Sequence, residues 1–170
     1  MSLTRLLEAD ARLSARLTVA ERPGLLRTLA SIFAHSGDSP FWIVGCAALW
    51  WLGNDFWKRE VRLALIGIFV TAAATFAIKH LIRRQRPEGE WGAIYRRFDA
   101  HSFPSGHSAR MAMLATVAVI LGPPPLAAAL VVLAVLVMLA RVAMGVHYLS
   151  DVTGGAVLGA IIGMASAFML

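Results

Sequence analysis

The chain has 170 residues, 58% hydrophobic and 15% charged, against roughly 25% charged in a typical soluble domain. That balance excludes an ordinary soluble domain. The net charge of +6 sits in short stretches between apolar runs, which points to lipid headgroups or an anionic substrate rather than to nucleic acid.

Leu3, Leu6, Leu7, Ala11, Leu13 and Leu17 recur near helical spacing, with Arg5, Glu8, Asp10, Arg12 and Arg16 between them. Residues 2–20 are therefore predicted to form an amphipathic helix, lying on the membrane surface or packed on the bundle. The charges leave no uninterrupted apolar core for a cleavable signal peptide. Arg22-Pro23-Gly24 breaks this helix, and residues 25–34 predict a second short apolar helix, ending near His35-Ser36-Gly37-Asp38. Ser39 is predicted to N-cap the next helix, with Pro40 at its first position. Asp38 and Ser36 read as capping residues, with a place on the catalytic face as the alternative. The run from Phe41 to Gly53 carries no charge and predicts a span reaching about residue 56, with Trp50, Trp51 and Trp57 near an interface. Lys58, Arg59, Glu60 and Arg62 predict a polar turn.

Leu63 to Ile78 is uncharged again, and its helix continues past Lys79. Residues 83–104 form a polar loop. Residues 108–121 predict an apolar helix, stopped at Gly122-Pro123-Pro124-Pro125. Leu126 to Ala140 is apolar, reaching Arg141 and ending near Gly145. Asp151 is predicted to N-cap a last helix, in which Gly155, Gly159 and Gly163 let a neighbour approach closely. The single cysteine, Cys46, lies in an apolar run and permits no intrachain disulfide. The expected fold is all-α: a polytopic transmembrane helix bundle of about five spans plus the N-terminal amphipathic helix. No repeat or linker divides it, so residues 1–170 read as one membrane-embedded domain, with interfacial helices over 2–36.

Counting crossings brings distant polar groups together. One helix exits at Lys79, and the next enters near His107 and returns at the triple proline. The chain then exits at Arg141 and re-enters at Asp151. Lys79, the 83–107 loop, Arg141, His147 and Asp151 thus fall on one membrane face. The inventory there is three cations (Lys79, Arg86, Arg141), two histidines (His107, His147), one carboxylate (Asp151), one hydroxyl (Ser105) and Gly106. Arginine forks match phosphate oxygens, and lysine adds a point charge. Ser105-Gly106-His107 at a helix N-terminus offers free N–H groups to an anion. Two histidines suit phosphoryl transfer, one attacking phosphorus and one protonating the departing oxygen. Asp151, four residues after His147, is placed to accept a hydrogen bond from its ring. No Gly-x-x-x-x-Gly-Lys loop and no Cys-rich or His-x-x-x-His spacing occurs. One carboxylate among competing cations would serve a divalent metal poorly, so neither metal nor cofactor is expected.

Lys79-x6-Arg86-Pro87, Pro104-Ser105-Gly106-His107 and Arg141-x5-His147-x3-Asp151 together resemble the three-part signature of the type 2 phosphatidic acid phosphatase superfamily. The motifs cover residues 79–151, and the helix pattern extends the likeness to nearly the whole chain. The resemblance implies that His147 is the nucleophile, forming a phosphohistidine with Asp151 as its partner. It implies that His107 is the general acid, and that Lys79, Arg86, Ser105, Gly106 and Arg141 hold the phosphate without a metal. One departure is Ala140, where the family usually has Ser before the third-motif arginine.

His35, His80 and His101 match no motif position and are read as non-catalytic. Arg83, Arg84, Arg96 and Arg97 are read as interface anchors, with contact to the substrate headgroup as the alternative. The leading function is an integral-membrane lipid phosphatase. Its candidate substrates are a polyprenyl diphosphate such as undecaprenyl diphosphate, phosphatidic acid, or phosphatidylglycerol phosphate. A transporter or channel is the alternative of another class, but no apolar run is read as carrying a mid-span ionisable residue. The membrane spans exclude a soluble vanadate haloperoxidase. The excess of Lys and Arg in the catalytic loop over the 54–62 turn would put the site in the cytoplasm, whereas the resemblance to bacterial members implies a cell-membrane location with the site facing the periplasm or exterior.

Overall fold

A computed structural model describes residues 3–96 and 99–168, and every element in it of helical length is an α-helix. In chain order these are α1 (Leu3–Leu17), α2 (Leu25–Ser36), α3 (Ser39–Leu52), α4 (Asp55–Ile82), α5 (Glu90–Arg96), α6 (Gly106–Leu121), α7 (Pro124–Ala143) and α8 (Leu149–Phe168). Three of them, α4, α7 and α8, are long and apolar enough to cross a bilayer, and α3 and α6 are shorter apolar helices. The five match the expected spans.

The bundle is built around α6, which packs against α8, α7 and α4. At 16 residues it is about 24 Å long, shorter than a bilayer core of about 30 Å. It tolerates this because protein rather than lipid surrounds it: Ala109, Met111 and Met113 are fully buried. Helices meeting in lipid gain no hydrophobic drive, so their association rests on close packing. The glycines of α8 supply it. A methyl group at Gly159 would overlap the backbone of Ala109, and one at Gly163 would stand 2.8 Å from the carbonyl oxygen of Met113.

Several boundaries differ from the sequence reading. The polar stretch Lys58–Arg62 is not a turn. The break lies earlier, at Gly53-Asn54, because the Asn54 side chain accepts the N–H of Trp57 and caps α4 there. The four charged residues then fill the first turns of one 28-residue helix. Asp38, not Ser39, occupies the cap position of α3, and its side chain makes no capping bond. Pro124 and Pro125 begin α7 rather than merely preceding it, since a helix start needs no N–H from them. The polar loop holds the unexpected α5. Finally, Arg110 interrupts the apolar run of α6. It is buried, and its Nη1 donates to the carbonyl of Gly37.

α1 packs on the bundle, one of the two sequence alternatives. It touches α7 and α8, while Leu6, Leu7, Leu13 and Leu17 remain exposed.

Candidate active site

The site's side chains are delivered by helix ends, except Arg86, which stands in the loop after α4. Lys79 lies in the last turn of α4, which stops at Arg83. That residue adopts a left-handed conformation (φ 52°) and returns its N–H to the Lys79 carbonyl. The loop that follows is closed at its base: Gln85 pairs with His101, and the Ser102 N–H donates to Arg84 O at 2.8 Å. Ser105 caps α6, its Oγ accepting from the hydroxyl of Ser108 at 3.0 Å. The Ser105 N–H donates to Asp151 O at 3.0 Å, which fixes the second motif on the third. Arg141 ends α7, and Gly145 (φ 64°) turns the chain so that His147 points inward. Asp151 is the third residue of α8 rather than its N-cap. Its Oδ2 reaches back to the N–H of Tyr148 at 2.9 Å, the carboxylate half of a capping box.

These ends enclose a cavity of about 580 Å³ lined by Lys79, Arg86, Tyr95, Asp99, Gly106, His107, Arg110, Arg141 and His147, among others. Arg141 is 1% exposed. Its Nη1 donates to the Tyr95 hydroxyl at 3.1 Å, its Nε has no partner, and no carboxylate pairs with it among the described residues. Such a buried cation lacks an anion. Arg86 is better satisfied. It donates to Val146 O at 2.9 Å and to Asp99 Oδ2 at 2.8 Å, and its Nη1 stands 3.2 Å from His147 Nε2. Lys79 also pairs with Asp99. Ser105 and Asp151 are fully buried just behind the cavity wall.

The two histidines differ. Burial, together with the positive charges of Arg141, Arg86 and Lys79, holds His147 well below the usual imidazole pKa, so the ring is neutral at pH 7. Its Nδ1 faces Asp151 Oδ2 at 3.5 Å, too long for a good hydrogen bond. His107 Nε2 instead pairs with Asp38 Oδ1 at 2.5 Å. Gly37 leaves room for that ring: a β-carbon there would stand 3.1 Å from its Cδ2. The bond from His107 is the main reason that the Asp38 carboxyl is lowered to about 2.

The structure brings together all eight residues singled out from the sequence: His107, His147, Asp151, Lys79, Arg86, Ser105, Gly106 and Arg141. It also corrects the single-carboxylate inventory, since Asp99 and Asp38 join the site. Asp38 was visible to the crossing count run backwards from Lys79, because α3 and α4 together return the chain to the same face. Asp99 lies in the polar loop, and no motif marks it. Tyr95, on α5, lies 4.7 Å beneath the guanidinium of Arg141 and 5.5 Å from that of Arg86. Arg84 is not an interface anchor; it is held between Asp10 and Asp151. Arg97 lies outside the described residues. His80 and His101 line the cavity, and His35 bonds Asp38. Ala140 packs with Ala20, Ala30 and Ala34 and does not line the cavity.

Residues 60–169 match the sequence pattern of the PAP2 superfamily. The chain belongs to the PAP2 superfamily. Decaprenylphosphoryl-5-phosphoribose phosphatase of Mycobacterium tuberculosis is 33% identical over 157 residues, which cover 92% of this chain and 86% of that protein. Two crystal structures share the fold. LpxE of Aquifex aeolicus superposes with a TM-score of 0.74 at 27% identity, covering 91% of this chain and 92% of that one. The PAP2-type phosphatidylglycerolphosphate phosphatase of Bacillus subtilis superposes with a TM-score of 0.76 at 24% identity, covering 97% and 86%. This PAP2 protein is accordingly an integral membrane enzyme, a phosphatase of lipid phosphates.

Proposed function

We propose that this phosphatase acts through a phosphohistidine on a polyprenyl lipid whose headgroup ends in phosphate, undecaprenyl diphosphate being the first candidate. The observation that carries the phosphate assignment is Arg141, buried and without an anionic partner among the described residues. A phosphate in the cavity supplies one, and Lys79, Arg86 and the N–H groups around Gly106 take its other oxygens.

His147 Nε2 attacks phosphorus, forming the N–P bond as the bond to the lipid-side oxygen breaks. His107 gives that oxygen its proton. Water then attacks phosphorus, His107 takes the proton from the water, and the N–P bond breaks to release orthophosphate. Asp151 balances the positive charge that the His147 ring acquires. The step uses no metal.

A lipid fits the shape of the cavity. Its wall continues down α4 from Lys79 to Phe76, Thr75 and Ala72, about 10 Å along the helix. Phe76 and Ala72 are exposed on the bundle's outer surface, so a substrate enters sideways from the lipid layer. The polyprenyl tail is supported by the mycobacterial relative, whose name carries a decaprenyl group. Phosphatidic acid and phosphatidylglycerol phosphate are the alternatives.

The test is phosphate release in detergent with EDTA present, from undecaprenyl diphosphate, decaprenylphosphoryl-5-phosphoribose, phosphatidic acid and phosphatidylglycerol phosphate. The polyprenyl substrates are expected to be fastest, and release is expected to vanish in His147→Ala. A faster glycerolipid sinks the tail assignment, and an active His147→Ala sinks the nucleophile. We also place the site on the outer face of a bacterial cell membrane, as the resemblance implies. A cysteine at the exposed Glu88 should react with a membrane-impermeant maleimide in intact cells; reaction only after lysis reverses the orientation.

A further inference from the structure

The N-terminal helix reaches the active site by its polar edge. While Leu6, Leu7, Leu13 and Leu17 face outward, Asp10 and Ser14 of α1 point into the start of α8. Ser14 Oγ accepts the N–H of Leu149 at 2.9 Å, and Asp10 Oδ1 accepts that of Ser150 at 3.1 Å. The free N–H groups opening α8 are thus capped from a helix at the other end of the chain.

The second oxygen of Asp10 has another partner. Oδ2 accepts from Arg84 Nη2 at 2.7 Å, and Nη1 of the same guanidinium donates to Asp151 Oδ1 at 2.7 Å. The guanidinium lies 4.1 Å over the ring of Tyr148. Asp151 Oδ2 then faces Nδ1 of His147. Carboxylate, guanidinium, carboxylate and imidazole form one chain, with side chains 12%, 15%, 0% and 1% exposed.

A fully buried carboxylate with no cation beside it would take a proton. Protonated, Asp151 could not balance the charge that His147 acquires. The other charged groups around His147 give it no help: Arg141, Arg86, Lys79 and His107 all face the ring and all disfavour positive charge there. Near Tyr148 the charged neighbours are Arg84, Asp151, Asp10 and Glu88. Arg84 is therefore the only cation bonded to Asp151 among the described residues.

We infer that Arg84 is a positioning residue for the nucleophile, holding Asp151 charged and turned to His147, and that Asp10 acts through it by keeping the guanidinium in place. This rests on His147 being the nucleophile. α1 is then a working part of the site as well as a surface helix.

The test is the pH dependence of kcat/KM for the full-length protein in detergent, with dioctanoyl phosphatidic acid as probe. The variants are Arg84→Gln, Arg84→Lys, Asp10→Asn and the Asp10→Asn/Arg84→Gln double, with His147→Ala alongside. Arg84→Gln should lose about ten- to a hundredfold in rate, the equivalent of one charge-assisted hydrogen bond. It should also move the acid limb to higher pH, because losing a cation lets Asp151 and His147 protonate more readily. Arg84→Lys should restore the limb but not the full rate, since an ammonium cannot bridge two carboxylates with a fork.

The sign for Asp10→Asn is decisive. Removing a negative charge directly would move the limb to lower pH; releasing Arg84 moves it higher, and the inference expects higher. The double variant should behave as Arg84→Gln alone. A loss uniform across pH with a lower melting temperature makes Asp10 only a helix cap and overturns the inference. So does an Asp10 effect that persists without Arg84. If His147→Ala is inactive while Arg84→Gln matches wild type, this inference alone falls. If His147→Ala is active, the nucleophile reading falls with it.

Discussion

His147 and His107 stand on one cavity in opposite surroundings. His147 is walled by Arg86, Arg141 and Lys79, and its nearest carboxylate waits at 3.5 Å. His107 is paired at 2.5 Å with Asp38, which also takes a bond from His35. The first environment keeps a ring neutral and its lone pair available. The second holds a buried ring against a fixed carboxylate, with the charges of Arg141 and Arg110 also beside it. A cation wall suits a nucleophile that must meet an anion, and a carboxylate partner suits a group that must carry a proton. The carboxylate partner of one ring and the cation wall of the other are what the proposed division of roles rests on.

The largest test of that contrast replaces each ring by alanine. His147→Ala should lower phosphate release by about 10⁴-fold or more with every substrate, since the nucleophile is gone. His107→Ala should cost about 10²–10⁴-fold with a lipid leaving group, and much less with p-nitrophenyl phosphate, whose leaving oxygen needs no proton. Equal deficits of His107→Ala on both substrates would remove it from the acid role. Asp38→Asn should follow the same leaving-group pattern at a smaller scale, about tenfold on the lipid. An Asp38→Asn deficit indifferent to the leaving group would make that residue a structural partner only.

Asp99 sharpens the other side of the comparison. It pairs with Lys79 and Arg86; burial raises its carboxyl, but the bond and charge of Lys79 and the charge of Arg86 bring it below the usual range. A phosphate must compete with it. Asp99→Asn should therefore tighten inhibition by orthophosphate by about tenfold or less, the scale of one charge-assisted bond. Unchanged inhibition would show that the carboxylate does not compete.

The smallest effect is on stability. The folded ring of His147 stays neutral far below the pH of about 6.5 at which the unfolded ring takes a proton. The unfolded chain thus binds the extra proton, and stability rises with pH in that window. It should be full above about 6.5 and fall by at most about 1.4 kcal/mol per pH unit below it. Asp38 acts lower: its contribution is present above its ordinary 3.8 and lost as pH falls towards about 2. Melting in detergent between pH 8 and pH 5 should slope for wild type and slope less for His147→Gln. An equal slope in both would locate the proton elsewhere.

The spans and the eight motif residues were legible because membrane crossing is a matter of length and apolarity, and because odd and even crossings sort polar ends onto faces. Local capping was less so. Asn54 stops and restarts a helix with one side-chain bond, which a window over Lys58–Arg62 reads as a turn. Asp38 looked like a cap because caps and catalytic partners use the same residue type at the same place, and only the rotamer tells them apart. Asp10 and Arg84 were hidden for another reason. Their meaning lies in contacts across most of the chain, and nothing in the spacing of an amphipathic helix says which polar residue meets a buried neighbour.

The seam between α6 and α8 carries His107 at the top of one helix and Asp151 at the top of the other. Gly159 lies about 12 Å down that seam from Asp151, and Gly163 about 18 Å. Neither comes near a phosphate, yet any added side chain there must push the two backbones apart. A library of random variants scored for growth on this activity would then show a line of intolerant sites descending into the lipid layer. It would look like a buried tunnel for substrate, and it would be the footprint of two backbones that must stay in contact.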